Sequence, residues 1–161
     1  MRSEELPAIM GAVREPMHGF VREARVRLAL LVNHSGQVLA QHGFASSYEV
    51  VNVASLAAAA HASSRVLAEI SGAGRWTHLY HAGRERQLFL APVKTPVEEL
   101  IVVTIFDGGS TLGLVQFFFD RLAADLAALP IFGADLGSTD QASFERDLEA
   151  GIQRVFESDT D

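Results

Sequence analysis

The chain predicts an α/β (α+β) domain in which helices cover a five-stranded, mostly antiparallel sheet. Three observations carry that expectation. Residues Leu100–Phe106 form an unbroken apolar run (LIVVTIF) that fits a central strand buried on both faces. Two shorter β-type runs on each side of residue 70 are joined by turn residues, as antiparallel neighbours require. Three segments with helical spacing of apolar residues surround these strands and supply their cover.

Taken in order, residues 4–24 place Leu6, Ile9, Met10, Val13, Met17, Phe20 and Val21 at three- and four-residue intervals, a helical stripe. Pro16 lies inside it, lacks a backbone donor, and is expected to kink or split the helix. Val26–Val32 and Gln37–His42 read as a hairpin around the turn Asn33, His34, Ser35 and Gly36. Ser46 or Ser47 is placed to cap a long helix over Tyr48–Ile70. On that helix Leu56, Ala60, Ser63, Leu67 and Ile70 form a stripe expected to face the sheet, leaving Ser55, Ala58, Ala59, Ala62, Arg65 and Glu69 on another side. Small side chains allow another backbone to approach, so that second side is a candidate contact face. Alanine is also the best helix former, which explains the same residues without a partner.

Ser71–Gly74 ends the helix, and Trp76–His81 and Arg86–Pro92 then read as strands around the turn Ala82, Gly83 and Arg84. The apolar run completes the meander. Asp107, Gly108 and Gly109 turn the chain, Ser110 or Thr111 caps the next helix, and Val115, Phe118, Phe119, Leu122, Leu126 and Leu129 share its buried side. Pro130–Gly137 reads as a linker, a last helix places Phe144, Leu148, Ile152, Val155 and Phe156 on one face, and an acidic tail ends the sequence. This divides the chain into a domain over 1–129 and an appendage over 130–161.

Composition narrows the function. Without cysteine there are no disulfides, thiolate metal sites or cysteine nucleophiles. A net charge of −7 disfavours a nucleic-acid surface. No apolar run is read as approaching the roughly 20 residues of a membrane span, and the N-terminus is acidic where a signal peptide is basic, so a cytoplasmic protein is expected. The turn DGGSTLG has Leu114 where a phosphate-binding loop needs lysine. His78 and His81, three apart on a strand, point to opposite faces and do not share a metal. His34 and His42 flank a hairpin and are close enough in sequence to meet, but no carboxylate is near in sequence to complete a ligand set. His61 is expected to be a partly exposed neighbour on the long helix. No nucleophile elbow, HExxH or paired-carboxylate motif is present, so no cofactor, metal or catalytic residue is assigned.

The segments VASLAAAAHASSRVLAEISG at 53–72, YHAG at 80–83 and, above all, IVVTIFDGGSTLGLVQ at 101–116 resemble the Roadblock/dynein light chain domains, over about Leu6–Leu129. The C-terminal FERDLEAGIQRVFESD at 144–159 is similar to an extra helix of the bacterial MglB-like members, regulators of the Ras-like polarity GTPase MglA. The resemblance implies a Roadblock-like, profilin-like fold with the long helix on one sheet face and the first and post-meander helices on the other. It implies a homodimer paired through Trp76, His78 and Tyr80, with two subunits engaging one MglA-like GTPase through Ser55, Ala58, Ala59, Ala62, Arg65, Val66 and Glu69. Such a protein has no active site of its own and stimulates GTP hydrolysis by repositioning the GTPase's residues. The C-terminal helix, through Phe144, Leu148, Ile152, Val155 and Phe156, is implicated in contacts favouring nucleotide exchange. A role in cell polarity or gliding motility, with recruitment to a cell pole, follows from the same likeness. The competing readings are an arginine finger from Arg65, a non-catalytic scaffold for a polarity GTPase, and a small-molecule-sensing domain. Phe117, Phe118 and Phe119 depart from the basic or mixed residues of the MglB-like pattern.

Overall fold

The structure, a computed structural model, describes residues 4–45 and 47–133 together with 146, 149 and 150. Helix α1 (Leu6–Glu23) precedes the hairpin of β1 (Leu28–Val32) and β2 (Val38–Gly43), and α2 (Ser47–Ile70) leads to the meander of β3 (Leu79–Ala82), β4 (Gln87–Lys94) and β5 (Glu99–Phe106). Helix α3 (Leu112–Ala127) and a 3-10 turn at Pro130–Phe132 follow. The strand order is β2-β1-β5-β4-β3, with every neighbouring pair antiparallel. The expected sheet is present, and it is wholly rather than mostly antiparallel.

Strand β5 occupies the middle because its side chains are apolar on both faces. Leu100, Val102 and Phe106 enter a core built with α1 and α3, whereas Ile101 and Val103 enter a second core beneath α2. All five are fully buried. At about 1.5–3 kcal/mol per buried side chain, this strand is a major source of the fold's apolar stabilisation. The first core is made of large groups, among them Met17, Phe20, Phe89, Phe119 and Phe132, and the second takes Val50, Ala54, Ala57 and Ala58 from α2, with Val53 partly buried beside them.

Pro16 does not divide α1, which runs unbroken from Leu6 to Glu23. Ile9 and Val13 before the proline and Met17 and Phe20 after it are all buried in one core, and this packing holds the helix across the missing hydrogen bond. In the first hairpin, Asn33 Oδ1 accepts from the backbone amides of Ser35 and Gln37, which closes the turn locally. Gly36 has φ +86°, and a Cβ there would lie 3.2 Å from the Cα of Ser55, so the turn rests directly on α2. Gly43 is more constrained still: at φ +99° an added Cβ would collide with the Arg27 carbonyl oxygen.

The link from β5 to α3 divides the capping work. Thr111 Oγ1 accepts from the Leu114 amide and caps α3, while buried Ser110 donates to the Ala24 carbonyl and ties the turn to the end of α1. Asp107 accepts from the Gly109 amide and, at 2.6 Å, from Arg27 Nε. After α3, Phe132 is buried in the first core and Ile131 packs beside it.

Strand β3 starts at Leu79 rather than Trp76. His78 stacks on Phe89 at 5.4 Å and its Nε2 lies 3.2 Å from the Gln116 amide nitrogen, so this stretch is anchored by side chains instead of a ladder. Strand β4 runs on to Lys94, past the last β3 pair at Leu90, and Pro92 falls where β4 has β5 as its one neighbour.

Thr104 is fully buried on β5, and its hydroxyl has no partner among the described residues. Replacing it by the isosteric valine removes an unsatisfied polar group, so Thr104→Val should raise the unfolding free energy by about 1 kcal/mol in urea titrations. Asp107 gives a pH dependence. The Gly109 amide first, and the Arg27 guanidinium second, hold its carboxyl below the usual carboxylate range. Its contribution is therefore complete above the unfolded-chain value of about 4 and disappears as acid takes the folded carboxylate through its lower pKa. Asp107→Asn should melt below the wild type at pH 7, and the two melting curves should converge as the pH falls toward about 2.

Candidate partner-docking face

Among the described residues α2 is the one helix on its side of the sheet, and it packs there with its small residues inward. Val50, Ala54, Ala57, Ala58, His61 and Ala68 are buried, whereas Leu56 is 71% exposed, Leu67 66% and Ile70 79%. This overturns the expected orientation, in which Leu56, Leu67 and Ile70 faced the sheet. The reason lies in the surface beneath: Leu28, Leu30, Val32, Leu90, Ile101 and Val103 already fill that face with branched groups. A helix can approach such a surface closely only through methyl-sized side chains. Apolar residues occur all round α2, so spacing alone did not choose between the two rotations.

The outer face therefore combines Val51, Leu56, Val66, Leu67 and Ile70 with the exposed Ser55, Ala59, Ala62, Arg65 and Glu69. Ala58, expected among the contact residues, is instead 7% exposed and packed against the sheet. Ala62, Ser63, Val66, Leu67 and Ile70 line one shallow apolar depression. Rows of exposed large apolar groups on a helix mark interaction surfaces more often than solvated ones. The same composition makes the 22-residue stretch Glu49–Ile70, whose most apolar 18 residues have a mean hydropathy of 1.2, long and apolar enough by length and composition to cross a membrane. That corrects the expectation that no such run exists, which overlooked how far alanine and valine raise the average.

Next to this face lies the edge of the sheet. Strand β3 has β4 as its one neighbour among the described residues. Of the residues expected at a dimer interface, Tyr80 is exposed and donates to Gln87 Oε1, while Trp76 and His78 are half-buried and lie outside the strand. The structure thus places Tyr80 on the free edge and the other two beside it. Phe144, Leu148, Ile152, Val155 and Phe156 lie outside the described residues, as does Ser46.

At the inner margin, His61 is 5% exposed, not the partly exposed neighbour expected. Its Nε2 lies 3.0 Å from Glu99 Oε1, and its ring meets the Trp76 indole edge-on at a centroid distance of 4.8 Å. Arg65 Nη1 is 3.7 Å from the same carboxylate oxygen. The Glu99 carboxylate at the start of β5 therefore engages two successive turns of α2. Sequence spacing does not bring residue 99 beside residues 61 and 65, since only the sheet topology does. His34 and His42 do not meet: His34 faces Glu98 at 4.0 Å, and His42 faces His18 with ring centroids 6.4 Å apart. Burial, then His18 and Arg14, lower the His42 pKa. No group of three or more potential metal ligands occurs among the described residues.

The model of the Roadblock/LC7 domain family matches residues 17–104, more than half of the chain. Among solved structures, the chain is similar to Myxococcus xanthus MglB at 24% identity and a TM-score of 0.65, covering 79% of this chain and 90% of that one. It is similar to the gliding protein MglB of Thermus thermophilus at 27% identity and a TM-score of 0.65, covering 74% and 89%. An MglB in a tetrameric arrangement is 28% identical, with a TM-score of 0.65 and coverage of 74% and 88%. No curated protein sequence matches. The family match runs from the last turns of α1 into β5 and takes in β1 to β4 and the whole of α2, and on these grounds the chain belongs to the Roadblock/LC7 domain family.

Proposed function

We propose that the chain is a homodimeric, cytoplasmic regulator of a small Ras-like GTPase of the MglA kind. In this reading it stimulates GTP hydrolysis by docking on the GTPase and repositioning the GTPase's own catalytic residues, with the C-terminal segment favouring nucleotide exchange. The observation that carries the proposal is the outward row of Leu56, Val66, Leu67 and Ile70 on α2, a surface that water solvates poorly and a partner would cover. Likeness to MglB structures at 27% and 28% identity supports the same reading. Pairing of two β3 edges about a two-fold axis would bring two copies of α2 together as one platform, with the two subunits receiving a single GTPase. The role in polarity or gliding belongs to this proposal.

The mechanism requires shape rather than chemistry from this chain. An apolar platform binds the switch regions of a GTPase and fixes one of their conformations, and the hydrolytic groups remain those of the GTPase. Arg65, the side chain suited to act as a finger, is turned toward Glu99.

Phosphate release by an MglA-like GTPase from the same genome should rise when this protein is added. Tight GTP-dependent binding without stimulation would assign a scaffold instead. Ala59→Arg places a bulky charge on the exposed face without entering the core, and it should weaken GTPase binding at least about tenfold while the circular dichroism spectrum is unchanged. Arg65→Ala should leave stimulated hydrolysis within a few-fold of wild type. A loss on the order of 10³ with the complex intact would identify an arginine finger and refute the repositioning mechanism.

A further inference from the structure

Between the second half of α2, the loop that follows it and the far ends of β4 and β5 lies a cavity of about 200 Å³. Its walls carry three cationic side chains, Arg65, Arg75 and Lys94, together with His61 and the Trp76 indole. This convergence stands against the bulk charge, because the chain has 20 acidic residues against 13 lysines and arginines. Two carboxylates also line the cavity. Glu99 is engaged by His61 and Arg65, and Glu69 sits on the exposed face of the helix. Arg75 and Lys94 have no hydrogen-bond or ion-pair partner among the described residues, although they come from elements 19 positions apart. The buried His61 ring has its Nδ1 without a partner as well.

We propose that this cavity binds a small oxyanion, a phosphate or carboxylate group, held chiefly by Arg65, Arg75 and Lys94 beside Trp76. Guanidinium groups match the paired oxygens of either anion, and the ammonium adds a point charge. The volume falls below the roughly 300–1,000 Å³ of drug-sized sites, which fits a fragment such as a phosphate monoester or a short dicarboxylate and excludes a whole nucleotide. The site is distinct from the outward apolar row of α2, and its occupancy does not depend on a GTPase.

Trp76 is the one tryptophan of the chain, so its fluorescence reports the cavity directly. The full-length protein is titrated at fixed concentration and constant ionic strength with inorganic phosphate, with succinate and with sodium chloride. A saturable change with phosphate or succinate, absent with chloride, is expected, and the stronger of the two identifies the preferred anion. Arg75→Glu and Lys94→Glu should each move the midpoint at least tenfold, and Arg121→Glu, on the α1–α3 side, should leave it in place. If a charge reversal fails to fold, Lys94→Ala gives the same comparison with a smaller expected shift. An equal response to chloride, no saturable response, or midpoints indifferent to Arg75 and Lys94 would overturn the proposal and would leave the docking reading intact.

Discussion

Burial of β5 on both faces is the constraint on which the rest of the structure depends. Because Leu100, Val102 and Phe106 face one way and Ile101 and Val103 the other, the sheet must be covered twice. The two covers are unequal. Helices α1 and α3 share one face through phenylalanines and a methionine, and among the described residues α2 covers the other through alanines. A close approach by a small-residue face frees the large residues of the same helix for the outside. The exposed apolar row of α2 is in this sense a product of how the core is packed, since the side chains that would ordinarily fill an interior are displaced by a sheet that has no room for them.

The Glu99 cluster holds this arrangement in register. The buried His61 imidazole, the half-buried Glu99 carboxylate and the exposed Arg65 guanidinium join α2 to β5 and fix where along the sheet the helix lies, which methyl-on-aliphatic contacts specify weakly. The exposure of Arg65 keeps the pair it forms modest in energy, so the cluster acts mainly through His61.

Much of the fold was legible in the sequence. The apolar run of β5, the Asn33–Gly36 turn and the Gly-rich turn before α3 are local signals, and local physics decides them. The rotation of α2 was not legible, because Leu56 and Ala57 are adjacent and a helix apolar on all sides has no preferred inward direction until the surface beneath is known. The same holds for the continuity of α1 through Pro16, which its buried neighbours decide, and for the start of β3, which His78 delays by stacking on Phe89. At the candidate site, Ala59, Ala62, Val66 and Glu69 are exposed and Ala58 is not, and His61 meets its partner 38 residues away.

The pairing of β1 with β5 has a consequence for how the chain is made. Leu28–Val32 forms a hairpin with β2 soon after synthesis, yet its other edge matches Ile101–Ile105, which leaves the ribosome some seventy residues later. Until then the first hairpin carries an open, wholly apolar strand edge beside α1, with nothing of its own chain to close it. Closing so long a loop late, and through the most buried strand, makes the sheet's centre the last part to assemble and leaves the nascent chain most prone to wrong pairing just before Phe106 emerges.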